Sequence, residues 1–355
     1  MQVSINIGGP GRASESWDDI VGYAVEAERL GVHSLWSAEA WGYDAITPLA
    51  YLAGKTSRIK LGSGIMQAGT RTPALVAMTA MTMAAVSENR FLLGLGVSGP
   101  QVIEGWHGIR FERPVQRMRE IIDVVRLISS GERSQYDGQV YTLPLPGGEG
   151  KAIRSGAPPA TAKIPVYLAT LSPKSLEMTG ELADGWLGTS FMPEHADVFF
   201  DHIAAGARRA GRSLADLDLQ AGGVVAFGDD AEQLIPRRKP GLAFTLGAMG
   251  SPRRNFYNAA FRRASYEDTA REVQRLWLDG RREEATERVP DELVLQTNLL
   301  GSDSQVKDRI RAYRDAGVTT LRVEPEGRTL QERLKTLGQT MNLVAEVSAE
   351  PAAVR

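Results

Sequence analysis

Four stretches of the sequence combine residue types that could do chemistry. The first is Trp36-Ser37-Ala38-Glu39-Ala40-Trp41-Gly42-Tyr43-Asp44. Aromatic residues gather in a connecting loop when they pack together or bind something. Glu39, set among them, could hydrogen-bond a ligand or carry a proton. It could equally pair with a basic residue of a neighbouring loop. The second stretch is Leu168-Ala169-Thr170-Leu171-Ser172-Pro173-Lys174-Ser175, where a strand end meets a helix start. Serine as N-cap with proline at the first helical position leaves free N–H groups, which suit a phosphate. Ser-Pro also opens helices that bind nothing. The third is Leu61-Gly62-Ser63-Gly64-Ile65-Met66. Glycines inside a strand mark either a bulge or a close approach to the backbone.

The fourth stretch is Gly94-Leu95-Gly96-Val97-Ser98-Gly99. Its spacing is that of a dinucleotide fingerprint, which needs a helix at once and an acid ending the next strand. Pro100 follows instead, and residues 111–130 read as helix. A glycine-rich strand that a flat cofactor approaches fits better. Trp106-His107-Gly108 adds an imidazole, though a lone histidine is more often packed than catalytic.

Other chemistries are excluded by what is missing. The 355 residues contain no cysteine, which rules out disulfides, thiolate metal sites and cysteine nucleophiles. Only four histidines occur, His33, His107, His195 and His202, with no metal-ligand spacing. With 41 basic and 43 acidic residues, nothing recommends nucleic acid or an anionic membrane as a partner. No apolar run reaches the ~18 residues of a membrane span. The opening MQVSINIGG lacks the pattern of a cleaved signal, so a cytoplasmic location is expected.

The elements that must position these residues repeat as strand, loop, helix and glycine. Eight strands are expected, near Val3–Ile7, Val32–Trp36, Ile59–Gly64, Phe91–Val97, Ile164–Ala169, Gly185–Thr189, Leu217–Phe227 and Thr319–Val323. The joins Ala-Glu-Arg-Leu-Gly-Val-His-Ser-Leu and Tyr-Arg-Asp-Ala-Gly-Val-Thr-Thr-Leu are of one type at opposite ends of the chain. Strands separated by amphipathic helices pair in parallel. Eight such units predict an α/β fold, a (β/α)8 TIM barrel formed as one domain over 1–355. Two long interruptions are expected. Asp137–Ala162 is rich in glycine and proline, and Gly228–Val289 is a helical insertion between strands seven and eight.

Taken together, these segments resemble the luciferase-like superfamily, and within it the oxidoreductases that use the deazaflavin coenzyme F420, such as methylenetetrahydromethanopterin reductase. The resemblance is carried by Ser34-Leu35-Trp36-Ser37-Ala38-Glu39, Leu61-Gly62-Ser63-Gly64-Ile65, Gly94 to Pro100 with Glu104-Gly105-Trp106-His107-Gly108, and Ala183-Asp184-Gly185-Trp186. Gly247-Ala248-Met249-Gly250 and Asn255-Phe256-Tyr257-Asn258 add to it. It implies the same barrel, a cis peptide at Gly64–Ile65 behind the deazaflavin ring, and Ser98 on the loop that lines the ring. It also implies a phosphate cradle at Thr170, Leu171, Ser172 and Thr189.

In the same reading Glu39 lies near the ring head; the proton could come from Glu39, from His107 or from water. Trp41, Trp106, Phe191, Phe244 and Met249 would form an apolar substrate pocket. The expected chemistry is hydride transfer between F420 and a small organic substrate. The alternatives are an FMN-dependent monooxygenase or a non-catalytic flavin-binding relative. Ala40, where some sugar-phosphate-oxidising relatives carry a histidine, argues against their chemistry. Homodimers are expected through Pro48–Leu52 and Ala74–Ala85, whose small apolar residues exceed what one inward face can bury.

Overall fold

The protein was analysed as a computed structural model, which describes residues 1–8, 15–251 and 254–351. Eight parallel strands close on themselves. They are β1 (Gln2–Ile7), β2 (Ser34–Ser37), β3 (Lys60–Ser63), β4 (Phe91–Gly96), β5 (Val166–Ala169), β6 (Gly185–Leu187), β7 (Asp218–Ala221) and β8 (Thr320–Pro325). Each pairs with the next, and β8 returns to β1 through Gln2–Thr320 to Ile5–Val323. All eight expected strands are present.

Alternation along each strand sorts side chains between two cores. On β1, Val3, Ile5 and Ile7 face the helices in the main apolar core. Ser4 and Asn6 face the barrel lumen, where they meet Gln220 and Arg322. The lumen is filled by Trp36, Leu92, Tyr167 and Leu187, over a polar layer. There Gln220 accepts from Ser4 and Trp36 and donates to Asp218, which also takes the Tyr167 and Thr320 hydroxyls. Burial of every one of these polar groups is offset by a hydrogen bond.

Helix ends follow their sequence signals. Ser16 caps the helix Trp17–Arg29 through Asp19 N–H, and Thr72 caps Pro73–Val86 through Leu75 N–H. Gly31 and Gly317 adopt φ of 87° and 104°, the left-handed turn from helix to strand that glycine makes without strain.

Three details depart from expectation. The seventh strand is broken. Gly222 and Gly223 interrupt it, and a Cβ there would sit 2.0 Å from the Arg322 carbonyl or 2.1 Å from the Thr297 carbonyl. Its second half, Val224–Phe227, turns to pair with a strand the sequence did not reveal, Leu299–Gly301. That strand is only three residues long, too short for a visible alternation. The helical insertion runs past Val289: five helices, from Lys239–Gly247 to Asp291–Thr297, lie between Val224–Phe227 and Leu299–Gly301. Their core, including Leu246, Phe261, Val273 and Val294, is continuous with Met192, Ala226 and Leu300 of the barrel. Finally, Asp137–Ala162 holds a small hairpin, Tyr136–Asp137 with Thr142–Leu143. The buried Glu120 carboxylate pins it by accepting from Gln139, Val140 and Tyr141 N–H.

Candidate active site

A cavity of about 690 Å3 opens where the barrel strands end. That size is ordinary for a small-molecule site, and the C-terminal mouth is where barrel enzymes place their chemistry. The loops after β2 to β6 contribute Glu39, Trp41, Ile65, Ser98, Ser172 and Thr189 to its wall. The insertion covers it with Phe244, Met249, Phe256 and Tyr257, and β8 contributes Arg322.

Glu39 lines the cavity but its oxygens are committed. Arg71 grips both of them at 2.7 and 2.8 Å, and Gln67 and Ala45 N–H each donate at 3.0 Å. Burial pushes the carboxyl up, yet Arg71 and the backbone donors outweigh it, so its pKa lies below the usual carboxylate value. This is the ion-pair alternative for Glu39: a saturated carboxylate that ties the loops after β2 and β3 together.

The glycines of β3 and β4 have a different cause from a ligand's approach. A Cβ on Gly62 would lie 2.3 Å from the Trp36 ring, and one on Gly64 would lie 2.8 Å from the Trp36 Cβ. On Gly94 it would lie 1.8 Å from the Ser63 carbonyl, and on Gly96 it would lie 2.7 Å from Ile65. The lumen indole and the irregular end of β3 demand these glycines before any ligand does. The Gly64–Ile65 peptide is cis, and Gly64 and Ile65 form part of the cavity wall.

At the helix Pro173–Leu182, Ser172 N–H donates to the Ser175 hydroxyl at 3.1 Å, and the two hydroxyls bond at 2.8 Å. Ser172, Ser175 and Thr189 face the cavity. Thr170 contributes wall, but its buried hydroxyl pairs with Thr179 at 2.7 Å and its carbonyl holds the Trp186 indole. Leu171 packs against the main core, and its carbonyl takes the Arg263 guanidinium of the insertion at 2.5 Å. Ser98, at φ 57°, turns the chain after β4 along the cavity. Trp41 and Trp106 stand at its edge with 44% and 66% of their surface exposed.

Two expected site residues lie elsewhere. His107 is exposed and does not line the cavity. The short helix Pro100–Gly105 turns Gln101, Val102 and Gly105 to the cavity, and the chain has passed the wall by His107. Phe191 is buried in a ring cluster with Trp186, Phe199, Phe200 and Tyr313. Ser190, at φ 56°, reverses the chain so that Phe191 enters the core rather than the cavity.

Sequence reasoning passed over Arg71 and Arg322, and included Ser175 and Tyr257 within longer stretches without giving either a role. For Arg322 a signal existed. Leu321 and Val323 must face the helices, so the charged residue between them must face the lumen. Among the described residues no cluster of side chains could hold a metal ion, and no helix is long and apolar enough to cross a membrane.

Comparison with known proteins agrees with this architecture. A provisionally named coenzyme F420-dependent oxidoreductase of Mycobacterium tuberculosis is 39% identical over 302 residues, 83% of this chain and 87% of that protein. The 5,10-methylenetetrahydromethanopterin reductase of Methanolobus tindarius is 28% identical over 326 residues, 90% of this chain and 94% of that one. The solved coenzyme F420-dependent tetrahydromethanopterin reductase of Methanopyrus kandleri shares the fold, with a TM-score of 0.79 at 24% identity over 96% of this chain and 97% of its own. The sequence profile of the luciferase-like monooxygenases matches residues 2–320, and the chain belongs to that family.

Proposed function

We propose that the protein is an oxidoreductase that passes hydride between the deazaflavin coenzyme F420 and a small organic substrate, working as a homodimer. The observation that carries this reading is the cavity: an apolar slot over Ile65, Val97 and Val102, with the Ser172 and Ser175 hydroxyls of a helix N-terminus and the Thr189 hydroxyl of the next loop at one side. Those features fit a flat ring system joined to a phosphate. The name carried by the 39% identical relative supports F420 over other flavins. When bound, the deazaflavin supplies a carbon that accepts or releases hydride. The chain's own part is to bind, orient and exclude water.

Backbone N–H groups of the first turn of the helix Pro173–Leu182 and the hydroxyls of Ser172, Ser175 and Thr189 would hold the phosphate. Gly64, Ile65 and Ser98 would flank the ring. Glu39 is read as the brace of this wall, ionised and hydrogen-bonded throughout, rather than as the proton carrier. Trp41, Trp106, Phe244 and Met249 would bound the substrate.

Titration of the purified protein with F420 and with FMN, followed by absorbance, tests the cofactor. A screen of alcohols, aldehydes, imines and enones for oxidation or reduction of the bound deazaflavin tests the reaction. Micromolar or tighter F420 binding with turnover is expected. Preferential FMN binding with oxygen consumption would favour a monooxygenase, and tight binding without any turnover a sequestering protein.

A further inference from the structure

We propose that Arg322 binds an anionic group of the substrate, which makes the substrate a carboxylate-bearing organic molecule. The proposal rests on the hydride-transfer reading only in calling the occupant a substrate.

Arg322 stands on β8 with its side chain in the lumen and lines the cavity. Its Nε and Nη2 both donate to the Asn6 side-chain oxygen, at 3.1 and 3.0 Å. That bond occupies one edge of the guanidinium and fixes its plane. It leaves Nη1 and the second hydrogen of Nη2, an end-on fork that matches the two oxygens of a carboxylate. Tyr257, from the insertion, lines the same cavity. Its hydroxyl makes no hydrogen bond among the described residues, and burial keeps the phenol protonated, so it too offers a donor.

The charge balance points the same way. Among the described residues Glu39 is the one carboxylate of the cavity wall and is spent on Arg71, while the wall carries two cations, Arg322 and the exposed Arg254 at the rim of the insertion. Glu324 is the carboxylate whose charge acts on Arg322, but it is exposed and outside the cavity wall. Asn6 is neutral. A guanidinium withdrawn from water, hydrogen-bonded to a neutral amide and feeling the Glu324 charge only from outside the cavity, is costly unless a closer counter-charge arrives. The cofactor phosphate is not that charge. The helix opening at Ser172 follows β5, three strands from β8 at about 4.8 Å per strand. The two cationic or donor-rich ends therefore accept two different anions, one at each side of an apolar floor.

The probes are trans-cinnamate and its neutral counterpart cinnamamide. Their binding is measured by titration calorimetry on the protein with and without saturating F420. The wild type should prefer cinnamate by roughly ten- to a hundredfold, the worth of a charged hydrogen-bonded pair. Arg322→Gln should abolish the preference while its affinity for F420 stays at the wild-type value. Arg322→Lys should keep only part of it, having the charge without the fork.

Equal binding of the two probes by the wild type overturns the proposal, as does a full preference in either variant. Parallel loss of F420 affinity in Arg322→Gln would assign the residue to the cofactor instead, and also overturns it. If Arg322→Gln does not fold, the wild-type comparison and the lysine variant decide. A wild type that ignores F420 yet still prefers cinnamate would sink the hydride-transfer reading and leave the anion site standing.

Discussion

Four hydrogen bonds converge on Glu39, and they decide what it can do. A general acid must hold a proton near the working pH. This carboxyl is held below the usual range by Arg71 and two backbone donors, against the opposing push of burial. Its stabilising contribution is therefore present above the ordinary glutamate pKa of about 4.3 and is lost as pH falls through the lower folded value. Glu39→Gln should cost about 3 kcal/mol at pH 7, as expected when one partner of a largely buried ion pair is removed. Denaturant titrations of both proteins should show that gap closing as pH falls below about 4.3. A drop in turnover of ~10²–10⁴-fold with unchanged stability would instead restore Glu39 as the proton carrier.

Gly64 makes the opposite case, a residue whose role is set by a neighbour. Gly64→Val would drive a Cβ to 2.8 Å from the Trp36 Cβ. Overpacking of this kind costs about 1–3 kcal/mol. We expect a lower melting temperature, with loss of ligand affinity following from it. An unchanged melting temperature would show that the lumen yields more readily than its packing implies.

At the scale of elements, the helix Pro173–Leu182 and the insertion bracket the cavity. Ser172→Asp keeps a good N-cap but places a carboxylate against the expected phosphate. Affinity for F420 should fall by about tenfold or more while the fold persists; unchanged affinity would put the phosphate elsewhere. Asn258 ties the insertion together. Buried, it donates to the carbonyls of Leu246 and Ala270 at 3.0 and 2.6 Å. Those bonds hold the end of the helix Lys239–Gly247, from which Ala248, Met249 and Gly250 extend along the cavity. Asn258→Ala removes the side-chain donor of the Ala270 carbonyl and leaves the Leu246 carbonyl with Asn255 alone, and should cost about 1–3 kcal/mol. Proteolysis should then appear first in the insertion; cleavage unchanged from the wild type would count against this tie.

Much of this scale was legible in the sequence, for a physical reason. Strand alternation, Thr72-Pro73, Ser172-Pro173, Gly31 and Gly317 are local signals and describe local structure. Leu299–Gly301 was not legible, because three residues carry no period. An ion pair of Glu39 with a neighbouring loop was an open alternative, but its partner Arg71 was not legible, because the pair joins residues 32 apart through a fold the local pattern does not contain. His107 and Phe191 failed similarly: loop position was visible, but the direction of the chain within the loop was not. The glycines of β3 and β4 were visible, while what demands them, the Trp36 indole at Gly62 and Gly64 and the Ser63 carbonyl and Ile65 at Gly94 and Gly96, lies on neighbouring strands and was not.

The whole molecule has a face that its own barrel does not cover. The helix Pro73–Val86 contains no charged residue in 14 positions. Val76, Ala77, Ala80, Met83 and Ala84 are buried against the barrel, yet Leu75, Met78 and Val86 stand 47%, 58% and 54% exposed. With Thr82 they recur at helical spacing on one outward stripe, and Tyr51 of the neighbouring helix Ile46–Ala53 is 48% exposed. A helix that is apolar all round belongs in an interior, and an exposed stripe of this kind marks a protein contact. A second copy of the chain is the occupant that needs no further component, since a two-fold contact lets the stripe meet itself. Sedimentation at micromolar concentration should therefore give a dimer. Leu75→Glu with Met78→Glu places like charges across that contact and should give a monomer. The cavity draws no wall residue from this helix, so the monomer should still bind F420. A wild type that sediments as a monomer would return the stripe to the status of an alanine- and methionine-rich barrel helix.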